Sequence, residues 1–166
     1  MLNQKNDRIL VVIFFIILLS IISALIIEHV LDHQPCNLCL YERIPYFVSA
    51  LLLIYIFLFK KYERIIFLIL FLIFVLSFLL AFYHFGIEQG FFSESFVCNV
   101  ENQSEILSKE QLLKELNQNV ISCKDVTFRI LGLSLAAINT ILSVVLSIIF
   151  LKLFFNYGSS TTSQYK

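Results

Sequence analysis

The sequence has no Trp, one Met, four Gly and two Pro in 166 residues, and only 14% of it is charged. So few Gly and Pro exclude a many-turned β fold, in which tight turns demand those residues again and again. So little charge excludes an ordinary soluble surface, since globular chains carry about 25% charged residues. An excess of basic charge is missing too: 12 Lys and Arg face 12 Asp and Glu, a net charge of zero. That leaves no phosphate-tracking face and argues against a nucleic-acid partner. What the chain does have is apolar bulk, 59% hydrophobic with 18 Phe. Few, long, regular elements in contact with membrane lipid follow, an all-α integral membrane protein.

Four apolar runs carry that expectation. The first, 9–27, follows Lys5 and Arg8 and is long enough to cross a hydrocarbon core. A cleaved signal peptide would have a shorter apolar region and a small-residue cleavage site, so a retained span is expected. The second, 44–59, is short unless Tyr41 and the stem of Arg43 help at one interface and Lys60 and Lys61 at the other. Pro45 is expected in its first turn, where a missing N–H costs least. The third covers 65–84 and is closed by His84 and Gly86; the fourth covers 130–151, before Lys152. These spans predict an antiparallel four-helix transmembrane bundle, a single membrane domain over 1–157 with a disordered polar tail at 158–166.

The termini and the 60–64 hairpin hold seven basic residues against Asp7 and Glu63, whereas loops 28–43 and 86–129 hold five against ten acids. The positive-inside rule then makes both termini cytoplasmic and puts the two loops outside. In the longer loop, Ser108 and Gln111 form a capping-box pattern, and Leu112, Leu113, Leu116 and Val120 share one face. A short amphipathic helix is expected there, lying in the interface plane or packed on the loop itself.

All four cysteines, Cys36, Cys39, Cys98 and Cys123, fall in those outer loops. Disulfides form in oxidising compartments, and the C-x-x-C of Cys36 and Cys39 favours reversible redox chemistry over an inert staple. The rival is zinc, since His29, His33, Cys36 and Cys39 give H-x3-H-x2-C-x2-C. Leu40 after Cys39 excludes haem attachment. With no GxGxxG, P-loop or haem motif, the nearest electron acceptor for a membrane dithiol is lipid-soluble quinone. Arg43, the only cation of the first outer loop, is the candidate to lower the Cys39 pKa and to steady a reduced quinone oxygen. Its plainer role is an interface anchor paired with Glu42.

The stretch Pro35-Cys36-Asn37-Leu38-Cys39-Leu40-Tyr41-Glu42-Arg43 closely resembles the first periplasmic loop of the DsbB family, the quinone reductases that reoxidise the dithiol oxidase DsbA. Cys123, followed by Leu131-Gly132-Leu133-Ser134-Leu135-Ala136 and Asn139, resembles that family's entry into the fourth span. The resemblance implies a bacterial inner-membrane enzyme whose redox loops are periplasmic and whose cofactor is a quinone, ubiquinone or menaquinone. Its partner would be a periplasmic DsbA-like thioredoxin-fold protein. By the same resemblance Cys98 would be attacked by the partner's thiolate, Cys123 would be its disulfide mate and would exchange with Cys36, and Cys39 would be left against the quinone. His84 and Glu88 fall where the family lines its quinone site. A DsbA-like oxidant sits near about −120 mV, so only an acceptor pulled continuously, such as a respiratory quinone, drains it. A vitamin-K-epoxide-reductase-like bundle shares the architecture, but there the C-x-x-C follows the loop pair. The non-enzymatic alternative is a four-helix membrane protein with structural disulfides or zinc. Asn139, mid-span, is expected to make an interhelical hydrogen bond.

Overall fold

A computed structural model describes residues 4–59, 62–93, 98, 123–124, 129–130 and 132–162. Its order is α1 (Gln4–His29), α2 (Asn37–Phe59), α3 (Glu63–Glu88), β1 (Arg129–Ile130), β2 (Leu133–Ser134) and α4 (Leu135–Thr162). All four helices are long and apolar enough to cross a membrane. Helices are the answer that lipid imposes, because every backbone N–H and C=O must be satisfied within the segment. The expected capping-box helix after Ser108 lies outside the described residues.

α1 and α3 outrun their apolar runs at both ends and α2 does so at its start, whereas the fourth helix begins at Leu135 and not at the expected 130, because 129–130 and 133–134 pair as β1 and β2. α2 begins at Asn37, so Pro45 sits in its third turn and not its first. There the proline withholds an N–H from the Tyr41 carbonyl inside the helix. The polar stretch 37–43 is helical nonetheless, because Leu38 and Glu42 are buried on its inner face. α3 runs on through His84 to Glu88, and α4 continues to Thr162, so the first residues of the expected tail extend the last helix.

Among the described residues two clusters form the interior. The larger fills the bundle's length with Leu10, Ile13 and Ile17 of α1, Leu53 and Ile56 of α2, Phe67, Leu70 and Phe74 of α3, and Leu146 and Phe150 of α4. Phe74 stacks on Phe150, with ring centroids 5.6 Å apart, and meets Tyr46 edge-on at 5.6 Å. α3 and α4 form the most extensive helix pair. Its seam holds small residues, Ala81, Ser77, Ser143 and Ser147, which let the backbones approach; Ser77 and Ser143 hydroxyls lie 3.1 Å apart. Outward, Phe15, Leu19, Leu51, Leu58 and Leu76 are exposed, as side chains that face lipid tails would be.

Two local devices set the mouth. At the end of α3 the Gly86 carbonyl accepts from Phe91 N at 2.8 Å and Phe92 N at 3.2 Å, and Gly90 turns the chain with φ of 77°. Phe92 lies so close to Gly86 that a Cβ there would sit 2.1 Å from its ring. At the start of α4, β1 and β2 pair antiparallel, Arg129 opposite Ser134 and Ile130 opposite Leu133. Ser134 Oγ then accepts from Ala137 N at 3.2 Å, capping α4.

Candidate functional site

The second cluster is at the mouth, and it holds every cysteine of the chain. Cys36, Leu38, Ile87, Cys98 and Cys123 are buried together, with Cys39, Leu80 and Tyr83 packed against them. Cys98 and Cys123 are joined by a disulfide, whereas Cys36 and Cys39 are free thiols with sulfurs 2.8 Å apart. Cysteines 59 to 87 positions apart in sequence are thus neighbours, because the end of α3 and the entry to α4 meet the start of α2.

C-x-x-C has a structural meaning here beyond proximity. Cys36 immediately precedes α2, and its sulfur accepts from the backbone N–H of Cys39 at 3.4 Å, so the first cysteine caps the helix that carries the second. His84 closes the other side: its Nε2 lies 3.6 Å from Cys36 Sγ and its Nδ1 2.7 Å from Glu42 Oε1. The Cys36 thiol is held well below the ordinary range, at about 4. The largest cause is the hydrogen bond from the Cys39 thiol; burial opposes it, and the His84 hydrogen bond and charge add to the lowering.

Behind His84 the polar contacts continue inward. Glu42, 7% exposed, accepts from Asn139 Nδ2 at 2.6 Å through its second oxygen. Asn139 Oδ1 in turn accepts from the Tyr46 hydroxyl. Asn139 therefore makes the interhelical hydrogen bond expected of it, and the partner is Glu42. Cys39, Glu42 and Tyr46 follow at i, i+3 and i+7 on one face of α2, a spacing that is legible in the sequence. Glu42 and Tyr46 were the residues missed.

A cavity of about 220 Å³ opens beside the sulfurs. Apolar walls come from Ile21, Ala24 and Ile27 of α1 and Leu135, Ile138 and Leu142 of α4; Cys36, Cys39, Arg43, His84, Glu88 and Cys123 supply its polar end. Glu88 Oε2 is buried without a hydrogen-bond partner, and Glu88 Oε1 is 3.8 Å from His84 Nε2. An apolar-walled pocket with a few convergent polar groups suits a small aromatic head with a lipid tail, so the residues fit a quinone.

Arg43 lines this cavity but is engaged differently from the expectation. Its guanidinium pairs with Glu28 at the end of α1, not with Glu42, whose oxygens are taken by His84 and Asn139. The rival zinc quartet of His29, His33, Cys36 and Cys39 is not assembled. His29 Nδ1 faces the Leu25 carbonyl at 3.1 Å, and among the described residues the imidazole that joins the two thiols is His84, in place of His29 and His33.

Comparison with known proteins agrees with the resemblance in the sequence. The family model described as disulfide bond formation protein DsbB matches residues 6–153. An uncharacterized protein of Rickettsia prowazekii (strain Madrid E), RP370, is 29% identical over 161 residues, covering 94% of this chain and 93% of its own.

Proposed function

The chain belongs to the DsbB family of disulfide bond formation proteins, whose members couple thiol oxidation to quinone, and from that premise we propose that it reoxidises a periplasmic DsbA-like dithiol protein. The observation that carries this reading is the gathering of both cysteine pairs into one packed cluster beside an apolar-walled cavity at the end of the spans.

The relay runs by thiol–disulfide exchange. A partner thiolate attacks Cys98 Sγ, the Cys98–Cys123 bond breaks, and the electron pair leaves on Cys123. The Cys123 thiolate then attacks Cys36 in the oxidised Cys36–Cys39 pair, and the pair leaves on Cys39. The partner's second thiol resolves its mixed disulfide with Cys98, so two thiols of the partner have become one disulfide and two electrons reside in this chain. A bound quinone supplies a two-electron, two-proton acceptor. Toward it, Arg43, His84 and Glu88 provide the polar end of the cavity, and Cys39 its reactive sulfur. His84 is fixed by Glu42, so that its Nε2 meets Cys36 and can hold or pass the thiol proton.

The distribution of basic residues supports cytoplasmic termini and a periplasmic mouth, in a bacterial inner membrane. The test is reconstitution with a reduced DsbA-like protein and either ubiquinone or menaquinone, following quinone absorbance with each cysteine replaced in turn. Cys39→Ser is expected to abolish quinone reduction while Cys98 still traps a mixed disulfide with the partner. Full quinone turnover by Cys39→Ser would refute the relay order.

A further inference from the structure

We propose that the reduced mouth is a binding site for a thiophilic divalent cation of the zinc type, held by Cys36 Sγ, Cys39 Sγ and His84 Nε2. These three atoms lie within 4.8 Å of one another, the one such group among the described residues. In a tetrahedral zinc site, ligand bonds of ~2.3 Å to sulfur and ~2.0 Å to nitrogen set sulfur and nitrogen ~3.5 Å apart and two sulfurs ~3.8 Å apart. Cys36 Sγ and His84 Nε2 already stand at 3.6 Å. The two sulfurs, at 2.8 Å, need only part by ~1 Å, within reach of a χ1 rotation of half-buried Cys39.

The surroundings of a metal site are present as well. Metal-ligating histidines almost always give their other ring N–H to a carboxylate or carbonyl, which fixes the tautomer and turns the lone pair to the ion. His84 does this, with Nδ1 2.7 Å from Glu42 Oε1, and Glu42 is itself held by Asn139. A second, independent observation is on the wall of the same cavity, where Glu88 Oε2 is buried without a hydrogen-bond partner and Oε1 lies 3.8 Å from His84 Nε2.

Binding moves no electrons. Each coordinating thiol still carrying a proton releases it to solvent, and both sulfurs become ligands. Because the same two sulfurs form the Cys36–Cys39 disulfide, the bound cation and the disulfide exclude one another. The cation therefore captures the reduced state and withholds it from further exchange.

The test uses the full chain in detergent micelles with Cys98→Ala and Cys123→Ala, reduced with a phosphine and titrated with Co²⁺ as spectroscopic probe, then with Zn²⁺. One Co²⁺ per chain is expected, with thiolate charge-transfer and tetrahedral ligand-field bands that Zn²⁺ displaces. The oxidised protein should give none. Glu42→Gln should weaken binding about 10- to 100-fold, the usual cost of losing an outer-shell partner, and His29→Ala with His33→Ala should leave it unchanged. Bound Zn²⁺ should slow maleimide labelling of Cys36 and Cys39 at least tenfold. Should the double-alanine background not fold, wild-type protein serves, and the bands should vanish with Cys36→Ala and Cys39→Ala. Equal binding by the oxidised chain, or affinity that survives His84→Gln, overturns the proposal. None of these readouts passes through quinone or partner, so this site and the relay stand or fall separately.

Discussion

Glu42→Gln tests the network behind the sulfurs most directly. The carboxylate accepts from His84 through one oxygen at 2.7 Å and from Asn139 through the other at 2.6 Å. A Gln of the same shape turns one acceptor into a donor, so it must point an N–H₂ at an imidazole N–H or at an amide N–H₂. Either Asn139 flips, losing its bond from Tyr46, or His84 gives up its Nδ1 proton to accept from the Gln, and with it the charge that faces Cys36. The loss of one hydrogen bond to a charged, buried group costs about 1.5–3 kcal/mol. At 1.4 kcal/mol per decade this is about a 10- to 150-fold effect. Because the affected imidazole faces Cys36 and not the second disulfide, the loss should fall on kcat for quinone reduction. The mixed disulfide formed by the partner at Cys98 should be trapped at an undiminished rate. Stopped-flow quinone absorbance and quenched-flow trapping measure the two. A Glu42→Gln enzyme that turns over quinone within twofold of wild type would refute the network's role; slowed trapping with unchanged turnover would locate its effect in the loop instead.

Other outcomes follow from the same geometry. Cys36 is held well below the ordinary thiol range by the Cys39 thiol and His84, so its thiolate persists as pH falls through the range where an ordinary thiol takes up its proton. Alkylation of the reduced protein, read by mass spectrometry at Cys36, should therefore stay flat from pH 8 to pH 6, where an ordinary thiol near 8.5 loses about a hundredfold. Cys39→Ala, which removes the main cause of the lowering, should bring the pH dependence back. Arg43→Ala should raise the apparent quinone KM more than it impairs partner binding, and unchanged quinone kinetics would leave Arg43 only a clamp on Glu28 of α1. Gly86→Ala should displace Phe92 from its stack on Tyr83 and lower thermal stability by about 1–3 kcal/mol, the usual range for overpacking, as a shift in Tm would show.

The spans were legible because uncharged runs of that length have no alternative in lipid, and the C-x-x-C with its flanking Tyr41-Glu42-Arg43 marked the mouth. Helix ends were not, since Asn37 to Arg43 read as loop by composition yet are helical where an inner face is buried. His84 reads in the sequence as a polar residue ending an apolar run and, by the resemblance, as one that lines the quinone site. That it meets Cys36 depends on how α3 packs against the start of α2, a contact 48 positions apart that no local pattern encodes. Glu42 was assigned to its neighbour Arg43, but adjacent residues on a helix point apart, and each found a partner on a different helix: Glu28 on α1 for Arg43, His84 on α3 and Asn139 on α4 for Glu42.

The hydrogen bonds of Glu42 bind α2 to α3 through His84 and to α4 through Asn139, all at one depth in the bundle. A slide of any of these helices by one turn, ~5.4 Å, would break them together in a medium with no water to replace them. The bundle is thus keyed against piston motion at the level of its redox sulfurs.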